Sequence, residues 1–187
     1  DFTAFDFDVS PFPKQMVSSW LLRQGDVARL DLATGWTVGF EWFEQGVGAL
    51  GGGLLEAVAG EDFNDLSLSV AASGRQIGGT TATTSRVEVV GGGRLNAVAA
   101  GDIKGGVFYV GKGAGEIYAG GDVTYARSIT ADSDTPLLPL LAEGEASLAL
   151  TAGGSLTIAG VINPTFVAQG PVQKNEGVNQ TRNSYFI

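Results

Sequence analysis

The chain of 187 residues contains no cysteine, no histidine and a single methionine. The absence of cysteine excludes disulfide bridges, cysteine nucleophiles and thiolate metal sites within this chain. The absence of histidine excludes hydrolytic triads that depend on an imidazole base. Any metal site would therefore consist of oxygen ligands, which suit Ca²⁺ or Mg²⁺.

Basic residues are also scarce, because 11 Lys and Arg stand against 20 Asp and Glu and give a formal net charge of −9. This balance argues against nucleic acid as a partner and against electrostatic docking on anionic membranes. The longest apolar cluster, "PLLPLLA" at 136–142, is too short to span a bilayer, so no direct membrane insertion is predicted. The start "DFTAFDFDVS" lacks the pattern of a signal peptide, and we interpret the chain as a fragment of a larger protein.

Aromatic residues and glycines divide the chain into two regions. Residues 1–46 hold nine of the 17 aromatics and alternate in part, which predicts strands that join, cap or flank the rest. From residue 47 onward, glycine turns separate short apolar runs. Glycine accounts for 29 of 187 residues, about twice the usual ~7%, without a collagen period.

The second region contains an internal repeat. "GGGLLEAVAGED" at 51–62 matches "GGGRLNAVAAGD" at 91–102 in eight of 12 positions, at an offset of 40. "AGDI" at 100–103 recurs as "GGDV" at 120–123, at an offset of 20, and "GGDV" recurs as "GGSL" at 153–156, at an offset of 33. The 33 residues between "GGDV" and "GGSL" include a Pro-rich stretch near 132–144, which we interpret as an inserted loop. A period of 20 places the first two strings two coils apart.

Alternation between the turns predicts strands with one buried face, and hence an all-β parallel solenoid over residues 47–170. About 120 residues correspond to roughly six coils of about 20 residues each. An antiparallel sandwich explains the alternation equally well but not the offsets. Residues 171–187 are interpreted as a tail that continues into a longer chain. The predicted structural turn residues are Gly53, Gly93, Gly101, Asp102, Gly121, Asp122 and Gly154.

Residues 41–166 resemble an uncharacterised region of long members of the filamentous haemagglutinin family, through "GALGGG", "GGVFYVGKG" and "NPT". The resemblance implies a right-handed parallel β-helix and two-partner secretion through an outer-membrane transporter. It further implies a bacterial cell-surface adhesin or its stalk, which adjoins the rest of the same long polypeptide. This region of the family offers no catalytic residues.

A glycine-rich stretch partly fits a phosphate-binding loop, because Gly106, Gly111 and Lys112 follow the start of GxxxxGK[ST]. Gly113 takes the place of the required Ser or Thr, and a strand rather than a helix is predicted next. We therefore interpret the stretch as a turn between coils, and no cofactor is predicted.

Acidic side chains offer two further candidate sites. Loop carboxylates that could bind Ca²⁺ are Asp132 with Asp134, or Glu61, Asp62 and Asp65. Their simpler role is as solvated acids and turn caps. Asp102 and Asp122 would lie one coil apart, ~5 Å, as a catalytic pair in a polysaccharide-degrading enzyme requires. A turn aspartate has a simpler purpose, since its carboxylate accepts backbone N–H groups.

The predicted function is that of a non-enzymatic, adhesive or structural segment of a secreted exoprotein. The alternative is a β-helical carbohydrate-binding module or polysaccharide-degrading enzyme, with host or matrix glycans as partners. An exposed row of aromatic side chains would favour that alternative. The candidate carbohydrate contacts are Trp20, Trp36, Trp42, Tyr109, Tyr118 and Tyr125.

Overall fold

The protein is all-β in the computed structural model, which describes residues 20–24, 35–40, 43, 46–78, 85–126 and 137–164. Strands make up 68% of the described residues, these residues contain no helix, and the parallel sheet is nearly closed into a barrel. The strands are β1 (Leu21–Gln24), β2 (Gly35–Val38), β3 (Val47–Ala49), β4 (Gly53–Ala59), β5 (Phe63–Asn64), β6 (Leu68–Val70), β7 (Ala72–Gly78), β8 (Ser85–Gly91), β9 (Gly93–Ala99), β10 (Ile103–Lys104), β11 (Val107–Ala119), β12 (Val123–Thr124), β13 (Leu140–Ala152) and β14 (Gly160–Ile162).

Four stretches of chain pair with one another in parallel, and we name them repeats 1 to 4. They comprise residues 46–65, residues 66–70 with 92–105, residues 106–126, and residues 137–157. Each repeat has a first, a long second and a short third segment; β3, β4 and β5 are those of repeat 1. Strand β9 lies between β4 and β11, and β11 lies between β9 and β13. Stacking order therefore follows chain order.

The two glycine-rich strings lie on adjacent repeats and not, as the period of 20 predicts, two coils apart. Gly53 pairs directly with Gly93. Gly93 pairs with Gly113 at an offset of 20, whereas Leu68 pairs with Phe108 at an offset of 40. The difference is an insertion of 20 residues between β6 and β9, within which β7 and β8 pair as antiparallel strands. The expected six coils are therefore too many: the described residues form four repeats, and β14 begins another.

Alternate side chains of the second segments point into the stack and form columns across the repeats. Leu95 and Ile117 of the middle repeats are fully buried, because a repeat covers them on each side. Leu55 and Leu148 of the outer repeats are half-buried, since each has a described neighbour on one side only. The columns are Leu55, Leu95, Gly115 and Leu148; Ala57, Ala97, Ile117 and Leu150; and Ala59, Ala99, Ala119 and Ala152.

The first segments of repeats 2 to 4 are buried on their outer face as well, beneath an antiparallel sheet in the order β1-β2-β7-β8. Strand β2 joins β7 through the pair Trp36–Gly74. Trp20 is fully buried and packs edge-on against Tyr109, with 5.7 Å between ring centroids. In β11, the side chain of Phe108 points into the core between the repeats. The side chain of Tyr109 points to the opposite side, into a cluster with Trp20 that we name the outer cluster. The described strands of the aromatic-rich region 1–46 thus lie against the repeats.

The insertion before repeat 4 lies earlier in the chain than the predicted loop near 132–144. Ala126 and Leu137 pair as an antiparallel bridge that closes it. Strand β13 begins at Leu140 and pairs with β11 from Val107 onward, so residues 140–144 belong to the sheet. The sequence places the end of the loop too late because two prolines precede Leu140, and prolines in an apolar run are also typical of a loop. The predicted tail, residues 171–187, lies outside the described residues.

Candidate functional site

Three aspartates occupy equivalent corners of successive repeats and connect each repeat to the next. Asp62 Oδ1 accepts the main-chain N–H of Asp102 at 2.8 Å, and Asp102 Oδ1 accepts that of Asp122 at 2.8 Å. Asp122 Oδ1 accepts the N–H of Ser155 at 2.7 Å. We name these four residues the Asp ladder. Hydrogen bonds from N–H groups to a carboxylate are stronger than neutral ones, so the ladder fastens all four repeats at one corner.

A glycine precedes each later member of the Asp ladder and leaves space for the carboxylate of the preceding repeat. A Cβ atom built on Gly121 would overlap Asp102 Oδ1, and Gly101 and Gly154 stand in the same relation to their own preceding aspartates. Repeat 1 carries Glu61 at this position, where no described repeat precedes it. The recurring "GD" and "GS" dipeptides therefore follow from the packing of one repeat on the next.

A second glycine column marks the corner between the first and second segments. Gly53, Gly93 and Gly113 are paired neighbours on three repeats, and all have positive φ, between 117° and 153°. A Cβ atom on Gly93 would overlap the carbonyl oxygen of Gly53, and one on Gly113 that of Gly93. Both backbone conformation and close stacking thus require glycine here.

Lys104 lies beside the Asp ladder and bridges two of its carboxylates. Its Nζ atom is 2.5 Å from Asp62 Oδ2 and 3.3 Å from Asp102 Oδ2. The hydrogen bond from Lys104, followed by that from the Asp102 N–H, lowers the pKa of Asp62. The hydrogen bonds to Asp62 and Asp102 raise the pKa of Lys104. The cation therefore offsets the repulsion between the first two stacked carboxylates.

The carboxylates of Asp102 and Asp122 lie on adjacent repeats, as the residues next to them show: Ile103 pairs with Val123. Both use Oδ1 to hold the next repeat, and Asp102 also faces Lys104. A general acid must keep a proton at neutral pH, which needs an apolar or anionic environment. Asp102 instead lies next to the ammonium group of Lys104. The arrangement suits hydrogen-bond acceptance better than proton transfer.

The acidic residues that the sequence offers as Ca²⁺ ligands do not form a metal site in the described part of the chain. Asp132 and Asp134 lie outside the described residues. Both Oδ atoms of Asp62 already bind protein groups. Asp65 adopts a left-handed backbone with φ 49°, and burial raises its pKa, which a hydrogen bond from the Gly106 N–H partly offsets. Within the described ranges, no group of three or more acidic side chains is placed to hold a metal ion.

The partial phosphate-loop motif lies in a strand. Gly111 and Lys112 fall within β11, which runs without interruption from Val107 to Ala119. Lys112 Nζ donates to the carbonyl of Val89 at 3.1 Å, so the lysine contacts the inserted hairpin. A phosphate loop needs a helix N-terminus after the lysine, and a strand follows here instead.

The aromatic residues predicted as carbohydrate contacts do not form one platform. Trp20 and Tyr109 are buried in the outer cluster, so they are not carbohydrate contacts in this structure, and burial raises the pKa of Tyr109. Trp36 donates from Nε1 to the Ala72 carbonyl at 3.0 Å and covers Gly74. Trp42 lies outside the described residues. The remaining two are exposed: Tyr118 and Tyr125.

The outward face of the second segments carries an exposed row of three large apolar side chains and a threonine, of which only Tyr118 is a predicted carbohydrate contact. Val58, Val98, Tyr118 and Thr151 are paired neighbours across four repeats, and Val58 and Tyr118 are 78% and 45% exposed. A salt bridge of 2.7 Å between Arg94 and Glu116 lies on the same face. The sequence offsets of 40, 20 and 33 between the repeats could have revealed this row, since each member lies two residues before a corner.

Comparisons of the chain with protein-family models, curated proteins and solved structures find no match. In the part of the chain that the structure describes, no helix has the length and apolar character needed to cross a membrane.

Proposed function

We propose that the chain is a segment of a right-handed parallel β-helix, with about 20 residues per coil, that serves as a non-enzymatic stalk or adhesive segment. The observation that carries the proposal is the Asp ladder, in which each repeat supplies the hydrogen-bond acceptor for the next. Such nearest-neighbour contacts are typical of solenoids, whose stability is the sum of repeat and interface terms. A rod of this kind holds other regions away from a surface.

The sequence resemblance extends the same proposal to location and partners. We infer a secreted protein of the bacterial cell surface, exported by two-partner secretion, with the rest of its polypeptide and an outer-membrane transporter as partners. The net charge of −9 suits a segment that remains soluble outside the cell without binding nucleic acid.

Deletion of one complete period tests the solenoid. Removing Ile103–Asp122 joins Asp102 to Val123, puts Leu95 beneath Leu148, and lets Asp102 accept the N–H of Ser155. The shortened chain should unfold cooperatively in urea, with a strand-type circular dichroism spectrum. Removing only 103–112 disrupts the register and should abolish folding. If both deletions unfold the chain, the strands close into a barrel that cannot lose a repeat.

The non-enzymatic role is tested with purified chain and a panel of polysaccharides. We expect retention of chain-coated beads on host matrix or glycan surfaces, and no release of reducing ends. Release of reducing ends that disappears in Asp102→Asn would establish the enzyme instead, because asparagine keeps the hydrogen-bond acceptor of the ladder but not the acid.

The exposed row around Tyr118 favours a second function, carbohydrate binding. The ring of Tyr118, between Val98 and Thr151, offers a flat face on which a sugar ring can stack. On a glycan array, Tyr118→Ala should remove binding while Tyr125→Ala, outside the row, should not. Equal binding by wild type and Tyr118→Ala would assign the glycan to another surface.

A further inference from the structure

The antiparallel sheet ends in a free strand edge. Strand β8 pairs with β7 and is the last strand in the order β1-β2-β7-β8 of the described residues. A seven-residue edge strand is a template for pairing with another chain. Among the described residues, no further strand pairs with its outward N–H and C=O groups.

The register of the hairpin identifies which groups face that edge. Gly92 N–H donates to the Ala71 carbonyl, directly beyond the pair Ala72–Gly91. Hydrogen-bonded and non-hydrogen-bonded pairs alternate along an antiparallel ladder. Because Ala71 and Gly92 form a hydrogen-bonded pair, residue pairs 72–91, 74–89 and 76–87 are non-hydrogen-bonded. Val87 and Val89 therefore direct their N–H and C=O groups away from β7.

Lys112 occupies part of this edge. Its Nζ atom lies 3.1 Å from the Val89 carbonyl oxygen, one of the outward-facing acceptors. The ammonium group would have to leave that oxygen before a strand could donate a main-chain N–H to it. An ammonium group at a strand edge also discourages pairing through the cost of desolvating its charge.

The charges of β8 favour a second copy of the same strand as the occupant. In an antiparallel pair centred on Val87 of both copies, Arg86 lies opposite Glu88 of the second copy and Glu88 opposite its Arg86. Both side chains are exposed on the outer face of the hairpin. Moving the centre of the pair by one residue, to Glu88 or to Arg86, shifts the register by two and instead places Glu88 opposite Glu88 or Arg86 opposite Arg86. The strand is thus self-complementary in one register, as a two-fold symmetric interface requires.

We propose that the free edge of β8 is a self-association surface, centred on Val87, that Lys112 holds closed through its hydrogen bond to the Val89 carbonyl. The full chain is tested by sedimentation equilibrium over a range of concentrations. Lys112→Met keeps the side-chain length but removes the donor, and should raise the dimer association constant at least tenfold over wild type. Lys112→Arg keeps a donor and should match wild type.

Charge reversal identifies the interface in the Lys112→Met background. Adding Glu88→Arg places cations opposite one another and should return the chain to a monomer. Adding Arg86→Glu as well restores opposite charges and should restore the dimer. Urea midpoints close to wild type confirm that each variant is folded. The proposal is overturned if Lys112→Met associates no more than wild type, or if Glu88→Arg leaves the Lys112→Met dimer intact.

Discussion

Asp102 Oδ1 accepts the main-chain N–H of Asp122 at 2.8 Å, and the two residues are separated by one repeat of 20 residues. The same bond joins Asp62 to Asp102 and Asp122 to Ser155. Each carboxylate lies in the space that a glycine leaves in the next repeat. A motif with the composition of a ligand-binding loop is therefore an interface between repeats.

Gly121→Ala should destabilise the chain by about 1–3 kcal/mol, the usual range for an overpacked site. Its Cβ would overlap Asp102 Oδ1, whereas a Cβ on Gly60 meets nothing within 4 Å. Gly60→Ala is thus the matched control and should be neutral or slightly stabilising. Urea unfolding followed by circular dichroism measures both. Asp102→Ala in the Gly121→Ala background should cost less than it does alone, since it also removes the clash; additive losses would contradict this.

The sequence predicts the all-β class and the 20-residue period because both depend on local patterns. The alternation of Leu95, Ala97 and Ala99 marks the inward face, and the glycine turns mark the corners. The predicted number of repeats is wrong because the length of an insertion coincides with the repeat period. The inserted hairpin is 20 residues long, so its length equals one period and an offset of 40 looks like two coils.

The candidate site is only partly predictable for a different reason. Asp102 and Asp122 are identified as turn caps from their place after glycine, but the N–H groups that donate to them are 20 and 33 residues away, and their identity depends on the stacking. Burial of Trp20 and Tyr109 results from contacts between residues far apart in sequence. Periodicity carries no information about such an outer layer.

Lys104→Met should remove a pH dependence of folding stability that the wild type shows at low and at high pH. The lowered pKa of Asp62 contributes stability above its ordinary value of 3.8, which is lost as the pH falls through the folded-state pKa. The raised pKa of Lys104 contributes stability below its ordinary 10.5, which is lost as the pH rises through the folded-state pKa. The difference in urea midpoint between wild type and variant should therefore be largest between these limits. Arg75→Met, at a salt bridge with a 72% exposed arginine, should show little difference at any pH.

Gly93→Ala and Gly53→Ala separate steric overlap from backbone strain at the second glycine column. Both residues have positive φ, but only the Cβ on Gly93 would meet protein atoms, the Gly53 backbone. Gly53→Ala should cost about 1–2 kcal/mol from the backbone conformation alone, and Gly93→Ala should cost more or prevent folding. Comparable urea midpoints for the two variants would show that stacking does not restrict this corner.

Trp20→Ala should cost about 3–5 kcal/mol, as expected when a large buried aromatic side chain is truncated. Trp20 is fully buried and contacts both Phe43 and Tyr109, with ring centroids 5.1 and 5.7 Å away. The loss should be local to the outer layer, because the inner columns do not include this side chain. Amide hydrogen exchange should therefore quicken in β1 and β2 before β9. Phe40→Ala, at a residue that is 65% exposed, serves as the control and should change neither stability nor exchange. Uniform acceleration across all strands in Trp20→Ala would mean that the layer and the repeats unfold as one unit.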